Sequence, residues 1–462
     1  MIFTSFTFLY FFASVFFLYW IVRFRKTQNY VLLLASYVFY GWIHPWFCLL
    51  LATSTIVDYF SALGMKIHPA RSKIYLCLSL FCNFGILSVF KYFNFFIENI
   101  STLFLSLNVS FNLPSLQIIL PVGISFYTFQ TMSYSIDVYR GKLEPRTNFF
   151  DYALFVSFFP QLLSGPIGRG CSQLPQIENE RKWDWVRFNT AWHLIVRGLF
   201  KKLVIADNLI GYVDKVYMLQ HPDFLLFAVG TLAFTVQIYA DFSGYTDIAR
   251  GCARLLGFEL MENFKNPYIA CSPSDFWRRW HISLSTWIRD YVFISMGGSK
   301  HKNKLISVCV MVFTMLLCGL WHGAAWNFII WGIYHGVLLV IYQLLGMGGK
   351  WKPLGMFQKA GSIIIMFQLT LLGWSLFRAS SLEWYLEMWS GMTLLYDKHN
   401  LGLIFLILLN IIFFTSPLLI KSSINYMKTG KETATAIYCG FLLFFIVLLH
   451  SSQSQDFIYF QF

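Results

Sequence analysis

Apolar runs of the length needed to cross a bilayer, about twenty residues, recur along this chain. The first covers 2–22 and is followed at once by Arg23, Arg25 and Lys26. Next, 30–42 and 46–63 form a hairpin around His44 and Pro45, and 75–96 and 116–136 follow, the last broken by Pro121 and Gly123. Each return to one side meets a basic cluster (Lys66, Arg71 and Lys73, then Arg140, Lys142 and Arg146). Basic loops mark the cytoplasmic side. From 149 to 300 the pattern changes to short apolar stretches cut by Pro, Gly and charge, with one clean span at 224–240. Uncharged helices return at 305–345, 363–377, 401–420 and 434–449, separated by Lys350 and Lys352, then by Lys421, Lys428 and Lys431. The pattern predicts an all-α polytopic membrane protein of about ten to twelve crossings, with re-entrant and interfacial amphipathic helices. It reads as one integral domain over 1–462, with its chemical core at 150–346.

No basic residue precedes the first span, whereas a secretory signal starts basic and has a shorter apolar core. It is expected to persist as a span with its N-terminus outside. Composition agrees: 57% apolar, 20% aromatic and 12% charged, against about 25% charged in a soluble domain. The abundance of aromatic residues excludes disorder. Lys and Arg outnumber Asp and Glu by 35 to 22, a net +13. Inner loops account for that excess, and no nucleic-acid-binding signature accompanies it. A basic inner face also attracts a phosphate-bearing coenzyme. The nine cysteines are scattered, without a CxxC pair or metal-ligand spacing, and read as small apolar fillers rather than metal ligands.

Four blocks carry candidate chemistry. The run 305–345 holds no Asp, Glu, Lys or Arg, yet Lys304 and Lys350 place both ends inside. It must turn back, and Gly319-Leu320-Trp321-His322-Gly323 is the best break. His322 is thereby set deep in the protein, where an ionisable residue is a functional hypothesis; the bland alternative is a neutral imidazole bonded to a helix carbonyl. His335, later in the run, is a weaker candidate. In the second block, Ser272 with Asp275 has capping-box spacing and Pro273 suits a first turn. The helix predicted over 276–291 puts Trp277, Trp280, His281, Leu284, Trp287, Ile288 and Tyr291 on one face. Arg278, Arg279, Ser283, Ser285, Thr286, Arg289 and Asp290 lie on the other, with Ile282 among them. The tryptophans and arginines suit an interfacial helix, and His281 is the ionisable side chain on its buried face.

Third, Asp241 and Asp247 lie near the end of a span. They suit cation binding, proton relay or a structural cap, and Gly244 between them suggests a turn. Fourth, Phe158-Phe159-Pro160-Gln161 through Arg169 reads as a re-entrant bend, with Arg169 meeting phosphate or marking the membrane surface. No GxSxG, HExxH or P-loop is present, which leaves histidine general-base chemistry.

Together these blocks resemble the membrane-bound O-acyltransferase superfamily, and within it the bacterial branch of alginate O-acetylation proteins. The match rests on Ser164-Gly165-Pro166-Ile167-Gly168-Arg169, Asp241-Phe242-Ser243-Gly244-Tyr245-Thr246-Asp247 and Glu262-Asn263-Phe264-Lys265-Asn266-Pro267-Tyr268. To these add the block from Phe276 to Asp290, then Gly297-Gly298, Leu320-Trp321-His322-Gly323 and the ending Phe457-Ile458-Tyr459-Phe460-Gln461-Phe462. The resemblance implies acyl transfer from a cytoplasmic thioester, acetyl-CoA, to an exopolysaccharide such as alginate, in the bacterial inner membrane and without a bound cofactor or metal. It maps the superfamily's near-invariant histidine onto His322 and its second site onto His281. Trp277, Arg278, Arg279, Arg289, Asp290 and Trp321 become candidates for donor or acyl contact, and Asp241, Asp247 and Arg169 for structural or proton-relay roles. Implied partners are periplasmic or membrane-anchored acetyltransferases and membrane lipid. Lys265-Asn266 stands where the family often has Asn-Gln. The alternatives are D-alanyl transfer to teichoic acid from a carrier protein and, in another class, a polysaccharide or solute transporter.

Overall fold

A backbone in hydrocarbon must satisfy its own hydrogen bonds, and among the described residues all regular structure is helical. The computed structural model describes residues 1–109, 116, 119–163, 165–298, 303–393, 397–425, 430–450 and 457–458. Ser164 and the final four residues of the chain, both part of the resemblance, lie outside them. Eight helical segments among the described residues are long and apolar enough to cross a membrane, and the apolar Phe6–Ile21 helix is shorter.

The chain divides into two compact units, Met1–Asp184 with Ala253–Met261, and Trp185–Cys252 with Glu262–Phe462. The first contains α1 (Phe6–Ile21), α2 (Arg25–Gly41), α3 (Phe47–Ile67), α4 (Ser72–Leu87), α5 (Phe93–Ser106), α6 (Ile124–Tyr139), α7 (Phe149–Ser157), α8 (Phe159–Leu162) and α9 (Gly170–Glu178). Polar side chains tie these helices together. Asn83 of α4 donates to both oxygens of Asp58 of α3 at 3.0 and 2.9 Å, and Thr131 of α6 donates to Asn83 at 3.1 Å. The bend expected at 158–169 is held by a ladder in which Gln173 donates to Gln161, and Gln161 to Gln130, each at 2.9 Å. Arg169 is the N-cap residue of α9, in this first unit.

The second unit begins with α10 (Trp185–Phe200), which passes through a π-turn at Lys201–Ala206 into α11 (Asp207–Tyr217). There follow α12 (Phe224–Leu255), α13 (Pro273–Trp277), α14 (Ile282–Ile288), α15 (Lys304–His322), α16 (Trp326–Leu344), α17 (Met356–Arg378), α18 (Leu382–Gly391), α19 (Leu401–Asn425) and α20 (Lys431–Leu449).

Two expectations are corrected. Gly244 does not turn the chain: α12 runs unbroken through it. Its small size lets α10 approach instead, since a Cβ on Gly244 would lie 2.9 Å from the Gly198 carbonyl oxygen, and one on Gly198 would lie 2.6 Å from the Gly244 oxygen. Nor is 276–291 one helix. Ser272 does cap it, accepting the Asp275 N–H at 3.2 Å, but α13 ends after Trp277 and His281 takes a left-handed backbone, φ 41° and ψ 57°. The physical reason is competition from a loop: the Ile282 N–H goes to the Asn263 carbonyl at 3.0 Å and the Ser283 N–H to the Asn263 side chain at 3.2 Å. Trp277, Trp280, His281, Leu284, Trp287, Ile288 and Tyr291 are nonetheless all buried.

Candidate active site

The uncharged run turns back where its length demanded, between α15, which ends at His322, and α16, which starts at Trp326. Glycines allow the hairpin to close tightly. A Cβ on Gly319 would fall 2.1 Å from the Phe328 carbonyl oxygen, and one on Gly332 would fall 2.3 Å from that of Met315. This packing brings His322 to the end of α15 with 3% of its surface exposed.

His281 enters the same region from the strained turn before α14 and is fully buried. The two imidazoles lie 6.4 Å apart between ring centroids. Trp321 sits 5.7 Å from His281, and Trp331 and Phe377 sit 5.1 and 5.4 Å from His322. His335 is one step further on, 4.7 Å from Trp331 and 5.2 Å from Trp277. The cluster therefore draws on α13, the turn before α14, α15, α16 and α17. Burial pushes the His281 imidazole down to about 3, so it is neutral near pH 7 and offers one N–H donor and one nitrogen acceptor. Such a pair in a dry aromatic setting has the groups needed to move a proton and to donate to a developing oxyanion.

The carboxylates of α12 are sorted by cation. Asp247 is held by Arg197, through contacts of 3.1 Å to each oxygen, and by Lys201 at 2.8 Å. Asp241 faces Lys202 at 2.9 Å and accepts the Ile458 backbone N–H at 2.7 Å. Lys202 also meets Asp207 at 2.8 Å. Burial pushes the Asp207 carboxyl up to about 6, against the opposing pull of Lys202. Burial also works against the Lys202 ammonium, but Asp241 and Asp207 outweigh it and hold its pKa up. The two aspartates thus belong to separate ion-pair groups.

The remaining candidates scatter. Trp277 joins the histidine cluster through Trp331 and His335. Arg279 binds Asp275 at 3.0 Å and the Lys265 carbonyl at 3.2 Å, while Arg278 reaches the Gly349 carbonyl. Arg289 and Asp290 pair with each other at 2.8 Å. Sequence reading passed over Arg197, Lys201, Lys202 and Trp331, and gave Asn263 no role of its own. The signal for the cations was present: Arg197 and Lys201 are four apart, hence on one helix face, in a stretch that is otherwise apolar. Among the described residues no three His, Cys, Asp or Glu converge on a metal position.

A cavity of about 290 Å³ opens beside these ion pairs, lined by Arg197, Lys201, Asp247, Arg250, Glu262, Asn263, Lys265 and Arg279 together with Tyr239, Ser243, Thr246, Phe264 and Asn266.

Residues 142–347 match the membrane-bound O-acyltransferase family. A probable alginate O-acetylase, AlgI, of Pseudomonas aeruginosa is 39% identical over 396 residues, covering 85% of this chain and 75% of that protein. A peptidoglycan O-acetyltransferase of Helicobacter pylori is 36% identical over 392 residues, covering 78% and 73%. A teichoic acid D-alanyltransferase of Bacillus subtilis is 30% identical over 273 residues, covering 55% and 68%. The transporter alternative gives way: this chain belongs to the membrane-bound O-acyltransferase family, close to the AlgI-type alginate O-acetylases, and is a multi-pass acyltransferase of the bacterial inner membrane that moves an acyl group across it.

Proposed function

We propose that this enzyme takes acetyl groups from acetyl-CoA on the cytoplasmic side and delivers them for O-acetylation of an exopolysaccharide of the alginate type. The observation that carries the reading is the buried His281–His322 pair, 6.4 Å apart in an aromatic enclosure. Identity to alginate O-acetylases over 85% of the chain supports the choice of polymer.

In this reading His322 accepts the proton of the acceptor hydroxyl as its oxygen attacks the thioester carbonyl. The new C–O bond forms, the C–S bond breaks, and the proton passes on to the departing thiolate. His281, neutral at working pH, donates its N–H to the carbonyl oxygen as negative charge develops there. General-base assistance is worth about 10²–10⁴-fold and an oxyanion donor about 10²–10³-fold. Trp321, Trp331 and Phe377 keep water from the thioester. The immediate acceptor is the polymer-modifying machinery on the far side, periplasmic or membrane-anchored acetyltransferase partners among it.

The test is polymer acetylation by His322→Ala expressed in a strain lacking the native protein. Acetyl ester content should fall to background with the variant inserted at normal levels. Full acetylation by a well-inserted variant would end this mechanism. Likeness to a teichoic acid D-alanyltransferase favours one second reading, transfer from a charged carrier protein; labelled acetyl-CoA and labelled D-alanyl carrier, supplied separately, distinguish the two.

A further inference from the structure

A carboxylate inside a membrane bundle has to be matched by a cation or a proton, because hydrocarbon supplies neither water nor counterions. Asp151, Asp207, Asp241 and Asp247 are each matched by a lysine or an arginine. Asp58 is not. It lies near the middle of the 21-residue α3, a candidate span, and none of its surface is exposed. Among the described residues no basic side chain faces it. Its partner is a neutral amide, that of Asn83, which donates to the two carboxyl oxygens at 3.0 and 2.9 Å. The near equality of these contacts makes both oxygens acceptors, as in an ionised carboxylate, whereas a protonated acid would turn one of them into a donor.

Further oxygen atoms surround this charge. Ser79 of α4 and Ser135 of α6 turn their hydroxyls toward the Asp58 carboxyl, and Ser54 stands one helical turn before it on the same face of α3. All three serines are fully buried, and among the described residues the Oγ of each has no partner of good hydrogen-bond geometry. The amide oxygen of Asn83 is already taken by Thr131 at 3.1 Å. A serine hydroxyl that points its hydrogen at a helix carbonyl still presents lone pairs to a cation. Asp58 and the three serines thus offer a carboxylate and three hydroxyls from three helices, the hard oxygen donors that alkali and alkaline-earth ions prefer. One carboxylate balances one positive charge. A divalent ion would bring a second charge into hydrocarbon, and among the described residues no second acid faces the site to meet it.

We propose that Asp58, with Ser54, Ser79 and Ser135, binds a single monovalent alkali cation that pins α3, α4 and α6 together. The consequence extends to the neighbouring bend. Gln130 precedes Thr131 on α6 and accepts from Gln161, so the helix held by the cation also anchors the segment 158–169. The site does not depend on which acyl group the enzyme moves.

The experiment uses the purified full-length enzyme in detergent, with melting followed by tryptophan fluorescence in NaCl, KCl or N-methyl-D-glucamine chloride at constant ionic strength. Sodium or potassium should raise the melting temperature saturably, by about 3 °C or more over the organic cation. Asp58→Asn keeps an acceptor for Asn83 but removes the charge, and should melt at the same temperature in all three salts. Ser135→Ala removes one donor oxygen and should raise the midpoint of the alkali-ion titration by about tenfold, with its melting temperature in the organic cation nearly that of the wild type. Radioactive sodium should be retained at a single ion per chain by the wild type and lost from Asp58→Asn. Should Asp58→Asn fail to insert, the Ser135→Ala titration and the wild-type stoichiometry decide the matter. Equal melting in all three salts with no sodium retained would overturn the assignment, as would an alkali-ion effect that persists in Asp58→Asn. A wild type whose melting temperature follows pH but ignores alkali ions would also overturn it, by showing that Asp58 carries a proton.

Discussion

The side chain of Asn263 accepts the backbone N–H of Ser283 at 3.2 Å, and its carbonyl accepts that of Ile282 at 3.0 Å, so one loop residue fixes the turn that carries His281. Asn263→Ala leaves a buried N–H unpaired, at a cost of about 1–3 kcal/mol. The expected result is a lower melting temperature in detergent together with a fall in kcat of at least about tenfold, because a misplaced group loses most of its oxyanion benefit. A variant that melts earlier but keeps full kcat would separate the turn from the chemistry.

The left-handed backbone of His281 costs roughly 1–2 kcal/mol in a residue with a Cβ. His281→Gly should therefore be more stable than His281→Ala by about 1 kcal/mol, while both lose activity. Chemical denaturation followed by tryptophan fluorescence measures the difference, and an Ala variant as stable as the Gly variant would contradict the strain.

His281 also gives a sign to the acid limb of stability. Burial lowers its folded-state pKa to about 3, below about 6.5 in an unfolded chain. Between those values the unfolded chain binds the extra proton, so this contribution is complete above pH 6.5 and is lost as pH falls toward 3. His281→Gln should flatten the dependence of melting temperature on pH across that window, leaving the change above pH 7 untouched.

The hairpin of α15 and α16 depends on two glycines. Gly319→Ala places a methyl 2.1 Å from the Phe328 carbonyl oxygen, and forcing the helices apart should cost about 1–3 kcal/mol. Since the displacement falls one turn before His322, activity should fall with stability. Gly361→Ala, where a Cβ meets nothing within 4 Å, is the control and should leave both unchanged.

Lys202 compensates two buried carboxylates, Asp207 and Asp241. Lys202→Met strands them and should destabilise by about 3–5 kcal/mol. Combining it with Asp207→Asn and Asp241→Asn should restore much of that loss. Recovery of folding without recovery of activity would point to a role for these groups beyond stability.

The sequence by itself determined the membrane frame and pointed to much of the candidate site. Apolar length and scarcity of charge required helices, and the uncharged run from 305 to 345 required a reversal near His322, because lipid leaves few other solutions. Helical periodicity also picked out the buried apolar side chains from Trp277 to Tyr291 together with His281, but not Ser283, which it set on the polar face and which is buried where its N–H meets Asn263 and the helix breaks. Only the tertiary structure decided the break itself, because the bonds that replace the helix at Ile282 and Ser283 come from Asn263, some twenty residues earlier. It alone turned Gly244 from an apparent bend into a helix crossing with Gly198, since close approach is a property of two helices. It also assigned Asp241 and Asp247 to different cations, Lys202 for one and Arg197 with Lys201 for the other. Those cations come from a separate helix, and no spacing along the chain records which carboxylate each of them will meet.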